Sequence, residues 1–149
     1  MAINFFEEDI SFILPQKLIV KKWLKLLAYE EGFIVKTLNY IFCSDEYLYD
    51  MNLNYLQHNT YTDILTFDNS EHPNEMEGDI FISIDRVKDN AINRNQPFEK
   101  ELQRVICHGL FHLCGFKDKS PDEINTMRSK ENHALEKFSQ PTVSRGTVG

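Results

Sequence analysis

The sequence predicts an α+β fold: a single domain with a small mixed sheet of about four strands, covered by about five helices. Three observations carry this. Strand-like and helix-like segments alternate through the first part of the chain, two short strand-like segments then follow one another, and three helical segments close it, in the order β-α-β-α-β-β-α-α-α. The 149 residues are the size of one domain, and 42 % of them are apolar, enough for one core. Glycine and proline are sparse, 6 and 5, so most of the chain is free to be regular structure.

INFFEEDISF opens with strand-like residues. Pro15 then precedes a helix over Gln16 to Glu31, whose apolar face is marked by Leu18, Trp23, Leu26 and Leu27. Lys17, Lys21 and Lys25 recur on its other face, a row that reads first as solvated and only second as phosphate-contacting. Lys36 to Cys43 alternates and is rich in β-formers, so it reads as a strand. Ser44 is placed to N-cap a helix through about Leu56. Thr62 to Asp68 and Gly78 to Asp85 read as two strands joined by the polar NSEHPNEME. Asp85 to Arg94 reads as a short helix. Pro97 opens a longer one through about Cys114, stopped by Gly115. Ser120-Pro-Asp-Glu123 is a capping box that launches a last helix to about Phe138. The domain therefore spans residues 1–138, and 139–149 form a polar, flexible tail.

A net charge of -7 argues against a protein that coats nucleic acid by bulk charge, while leaving room for a local basic groove. No apolar run approaches the roughly 18 residues of a membrane helix, so no membrane partner is expected. MAINFFEEDI has no basic residue and carries acids early, which is unlike a signal peptide. Three cysteines, Cys43, Cys107 and Cys114, an odd and low count, suggest reduced thiols and a cytoplasmic location. They read as small core residues.

The candidate site is HGLFHLCGFKD, His108 to Asp118. On a helix, His108 and His112 lie one turn apart on one face, so two imidazoles can reach one cation. Gly115 ends the helix, and Asp118 follows six residues after His112, where a returning carboxylate can be a third ligand. Three protein ligands with an open position are the pattern of a catalytic zinc site. Chance spacing of two histidines is the competing explanation. The zinc-peptidase pattern H-E-x-x-H is broken by Gly109, a residue unfavourable inside a helix. A close approach of another strand or of substrate backbone would explain it.

HGLFHLCGFKD resembles the signature H-G-x-L-H-L-x-G-Y-D-H of the YbeY family, bacterial rRNA maturation endoribonucleases. His108, Gly109, His112, Leu113 and Gly115 match in register, with Phe116 for the Tyr. TDILTF (Thr62 to Phe67) resembles the family's T-D-V-L-S-F, and EGDIFIS (Glu77 to Ser83) its L-G-D-I-x-I-S. The chain departs in two places. Asp118 stands at the position of the family's third His ligand, after Lys117 in place of Asp. Leu56, in Tyr55-Leu56-Gln57-His58, falls where the family has an Arg implicated in activity.

The resemblance implies a single-domain metal-dependent endoribonuclease acting on RNA in small-subunit rRNA maturation and ribosome assembly. It would hold one Zn²⁺ on His108, His112 and Asp118. Arg104 or His58 would supply the missing positive group, and Asp63 and Asp79 would line the groove beside the metal helix. For Arg104 the alternative is an ordinary ion pair, for His58 a loop residue with no role, and for the two aspartates simple turn caps. Lys117, Lys119, Arg94 and Arg104 are the local basic candidates. Two other readings stand beside this one: a non-catalytic, metal-stabilised ribosome assembly factor, and a zinc metallopeptidase, which Gly109 disfavours. Oligomeric state has no signal in the sequence.

Overall fold

The computed structural model describes residues 2–56 and 62–139, and its elements follow the expected order. They are β1 (Ala2–Glu7), α1 (Lys17–Glu30), β2 (Ile34–Cys43), α2 (Asp45–Leu56), β3 (Ile64–Asp68), β4 (Glu75–Ser83), α3 (Ile84–Asn93), α4 (Phe98–Leu113) and α5 (Pro121–Phe138). The sheet runs β1-β2-β4-β3. The β1/β2 and β2/β4 pairs are parallel and the β3/β4 pair is antiparallel, so the sheet is mixed and the fold is α+β. None of the helices among the described residues is long and apolar enough to cross a membrane.

Element existence agrees with the sequence, and several bounds differ: β2 begins at Ile34 rather than Lys36 and β3 at Ile64 rather than Thr62. β4 begins at Glu75 rather than Gly78, because Glu75 and Met76 already pair with Ile34 and Val35 of β2. The segment Glu75-Met-Glu looks like a polar connection, yet Met76 is buried between two residues of the opposite face, a period-two signal hidden by the acids. β4 stops at Ser83, whose side chain accepts a hydrogen bond from the Arg86 N–H and caps α3.

The buried stripe of α1 is Val20, Trp23, Leu24, Leu27 and Ala28. Leu18 and Leu26, expected inside, are 74 % and 45 % exposed, because they lie off this i, i+3, i+4, i+7 stripe. The Trp23 indole N–H donates to the Ala134 carbonyl at 2.8 Å and ties α1 to α5.

Helix α4 is set on the sheet by apolar packing and one polar anchor. Val105, Ile106, Leu110 and Leu113 are buried, and the Tyr40 hydroxyl of β2 donates to the Ile106 carbonyl at 2.8 Å. Gly109 is placed against β3 and β4. A Cβ there would lie 2.9 Å from both Ile64 Cδ1 and Ile80 Cγ2. The glycine that looked costly in a helix is the contact that lets α4 lie down on β3 and β4.

Candidate metal centre

The centre is built by the way α4 ends. Gly115 takes φ +102°, its N–H bonds the His112 carbonyl, and the Phe116 N–H bonds the Phe111 carbonyl. These are the two hydrogen bonds of a Schellman stop, and the Phe111 and Phe116 rings meet edge to face across it. The turn aims the Phe116 carbonyl back at His112, 2.9 Å from Nδ1. Two residues later Asp118 arrives beside both histidines: its Oδ2 is 3.2 Å from His108 Nε2 and 3.4 Å from His112 Nε2.

The tautomers follow from the partners. A carbonyl only accepts, so His112 Nδ1 carries the proton. His108 faces a carboxylate from each nitrogen, Glu131 Oε2 at 2.6 Å from Nδ1 and Asp118 Oδ2 at 3.2 Å from Nε2, and the shorter contact places the proton of the neutral ring on Nδ1. In both rings Nε2 is therefore the atom left to face Asp118. One ligand atom from each of His108, His112 and Asp118 lies within 4.8 Å of the others. Ligands about 2.0–2.1 Å from a small tetrahedral ion lie roughly 3.3–3.4 Å apart, close to the 3.2 and 3.4 Å between Asp118 and the two rings. These three side chains are able to hold a metal ion.

Glu131 is buried in α5 and also accepts from Arg104 Nη1 at 2.9 Å. Burial pushes its carboxyl up, but the hydrogen bonds from His108 and Arg104 outweigh burial and hold it below the usual range. For His108, burial alone would lower the imidazole; the hydrogen bond and charge of Glu131, with Asp118 and Asp63, overcome it and raise the group. A raised histidine stabilises the metal-free fold fully below the unfolded value of about 6.5, and that contribution disappears as pH rises through the folded value. Metal ligation needs the neutral ring, so both effects run in one direction. Added Zn²⁺ is expected to raise the melting temperature more at about pH 8 than at about pH 6. Equal increments in thermal melts at the two values would contradict this.

Beside the cluster lies a cleft of about 230 Å³, lined by Asp63, Arg94, Glu101, Arg104, Val105, His108, Asp118, Ile124, Met127, Arg128 and Glu131. Three arginines there face four carboxylates, so the lining without an ion carries a formal surplus of one negative charge. Two of the arginines are already engaged. Arg94 Nη1 is 2.9 Å from the buried Glu101, and Arg104 bonds Glu131 and Asn132. Burial raises the Glu101 carboxyl against the charges of Arg94 and Arg104. Arg128 is the more open cation, half exposed, with Nε 3.6 Å from Glu131 Oε1.

The structure brings together some of the expected site residues and separates others. His108, His112 and Asp118 converge. Asp63 lines the same cleft, with its Oδ2 accepting from Asn90 at 3.2 Å. Arg104 is in the cleft too, though its guanidinium is turned to Glu131 rather than to open space. Asp79 is not brought to the groove. It alternates with the buried Gly78 and Ile80 of β4, so it faces away from α4, where it accepts from Asn39 and Asn69. His58 lies outside the described residues. Lys117 and Lys119 flank Asp118 and are exposed. Glu131 is the residue that sequence reasoning missed. Its signal was present: it falls among Met127, Ala134 and Leu135 on the buried stripe of α5, where a lone acid needs a partner.

The family model described as Endoribonuclease YbeY matches residues 3–139. The chain belongs to the Endoribonuclease YbeY family. The Endoribonuclease YbeY of Cytophaga hutchinsonii is 53 % identical over 134 residues, covering 90 % of this chain and 94 % of that protein. That of Christiangramia forsetii is 44 % identical over 136 residues, covering 91 % of this chain and 94 % of that one. The solution structure of TM1509 from Thermotoga maritima superposes with a TM-score of 0.63 over 99 % of both chains at 24 % identity, a likeness of fold. The YbeY relationship also bears on Gly109. Position 109 points into Ile64 and Ile80, so a glutamate placed there, as in H-E-x-x-H, would enter the core rather than reach the cluster.

Proposed function

We propose that this member of the Endoribonuclease YbeY family hydrolyses RNA phosphodiester bonds with a metal ion, most fittingly Zn²⁺, held by His108, His112 and Asp118. Its substrate is ribosomal RNA, and it acts in the cytoplasm during maturation and assembly of the small subunit. The observation that carries this is the three-ligand cluster beside a cleft, on a chain whose relatives bear the name endoribonuclease. Two imidazoles and a carboxylate suit zinc. When bound, such an ion supplies Lewis acidity to a phosphoryl oxygen and lowers the pKa of water at its open position.

The rest of the chemistry falls to the chain. His108 and His112 present Nε2 because Glu131 and the Phe116 carbonyl hold their Nδ1 protons. Asp118 adds a negative charge to the ligand set, which makes the centre less electrophilic than one built on three histidines. Arg128, at the edge of the cleft, is placed to meet a phosphate, and developing charge on the non-bridging oxygens needs such a cation. The apolar side chains of Val105, Ile124 and Met127 line the cleft walls.

The test is cleavage of a structured rRNA fragment by pure protein with and without chelator; cleavage that persists after the metal is stripped defeats the proposal. A second measurement addresses the ligand set. Metal analysis of wild type and Asp118→Ala, purified without added metal, is expected to show the loss of most of the bound ion in the variant. Unchanged stoichiometry would leave Asp118 as a turn residue.

A further inference from the structure

We infer that Glu131 is a positioning residue for the metal centre: it fixes the tautomer and direction of His108, and Arg104 acts through it. This rests on His108 being a ligand, as proposed above.

Glu131 lies on the buried stripe of α5, with Met127, Ala134 and Leu135, and is 4 % exposed. A carboxylate in that position is destabilising unless both oxygens are engaged. Both are. Oε2 lies 2.6 Å from His108 Nδ1, and Oε1 accepts from Arg104 Nη1 at 2.9 Å, with Arg128 Nε at 3.6 Å. Arg104 is itself held on its far side, where Nη2 donates to Asn132 Oδ1 at 3.2 Å. The chain of contacts runs Asn132, Arg104, Glu131, His108, and its last atom, His108 Nε2, faces Asp118 at 3.2 Å.

The bland alternative is an ion pair that merely holds α5 against α4. Geometry separates the two. An ion pair between helices needs only Arg104 and Glu131, whereas the shortest contact Glu131 makes is to the imidazole. A carboxylate bonded to the distal nitrogen of a metal-binding histidine fixes its tautomer and raises its basicity, and its loss weakens metal binding by about 10–100-fold. Arg104, 17 % exposed and doubly bonded, is thereby spent on orientation rather than on phosphate.

The experiment uses the full chain, with Zn²⁺ alone as the probe and a chromophoric chelator as competitor. Glu131→Gln keeps an acceptor and removes the charge. Its Kd for Zn²⁺ is expected to rise by about 10–100-fold, and Arg104→Gln to raise it less. Melting curves of the metal-free forms report whether each variant folds. Should Glu131→Gln fail to fold, ring ¹⁵N spectra of the metal-free wild type at mildly alkaline pH decide instead. His108 protonated on Nδ1 supports the role, and His108 protonated on Nε2 overturns it. An unchanged Kd in a folded Glu131→Gln also overturns it, and does so without touching the proposed function if that variant still cleaves RNA by a metal-dependent route. Wild type that binds no Zn²⁺ at all overturns both.

Discussion

A His108→Ala chain is expected to lose stoichiometric metal binding and to cleave rRNA at least about a hundredfold more slowly, more than the 10–100-fold typical of removing an outer partner. The magnitude follows from the number of ligands. With His108 gone, only His112 and Asp118 remain of the three atoms that converge. The loss also strands Glu131, whose Oε2 sits 2.6 Å from the deleted ring in a buried position. Some loss of stability is therefore expected in the same variant. Single-turnover cleavage of a structured rRNA fragment, beside melting curves of the metal-free protein, separates the two effects. His108→Ala cleaving as fast as wild type would remove the assigned centre altogether.

Gly78→Ala is expected to destabilise the fold by about 1–3 kcal/mol, the usual range for overpacking, lowering the melting temperature by roughly 3–10 °C. A Cβ at this position would lie 2.7 Å from the Phe67 carbonyl oxygen of β3 and 3.0 Å from Leu113 Cδ1 of α4. The carbonyl belongs to the ladder that pairs Asp68 with Gly78, so it cannot retreat without disturbing β3. Leu113 is the neighbour of His112, so the strain falls on the end of α4 that carries the cluster. Gly109→Ala offers a contrast. Its obstacles are methyl groups of the Ile64 and Ile80 side chains rather than backbone, and alanine recovers about 1 kcal/mol of helix propensity. A smaller loss is expected there. Thermal melts in which Gly78→Ala matches wild type, or in which Gly109→Ala is the worse of the two, would contradict this account.

Helices were legible where their ends carry chemistry. Ser120 and Glu123 form the expected capping box of α5, Ser44 caps α2 through the Tyr47 N–H, and Gly115 ends α4 in the left-handed region. Faces were less legible. Leu18 and Leu26 are as apolar as Leu24 and Leu27, and only packing against the sheet and α5 decides which side of α1 is inside. Asp63 and Asp79 look alike in sequence, each at the head of an apolar run. Strand pleat sends Asp79 to the face away from α4, while Asp63, just ahead of β3, reaches the cleft.

By itself the sequence determined the order of elements, the α4 turn that presents His108, His112 and Asp118, and the absence of the peptidase glutamate. These depend on residues within a few positions of one another, and helix periodicity and caps are local physics. Tertiary structure alone decided what holds that cluster in place. Glu131 is 23 residues from His108 and Arg104 is 27 from Glu131, and they meet because α5 packs across α4. The reason for Gly109 is also nonlocal, since the side-chain methyls that would crowd a Cβ there come from β3 and β4. Local sequence can place a ligand on a helix. The partner of its second nitrogen, and the strand lying beneath the helix, are set only when distant segments are buried together.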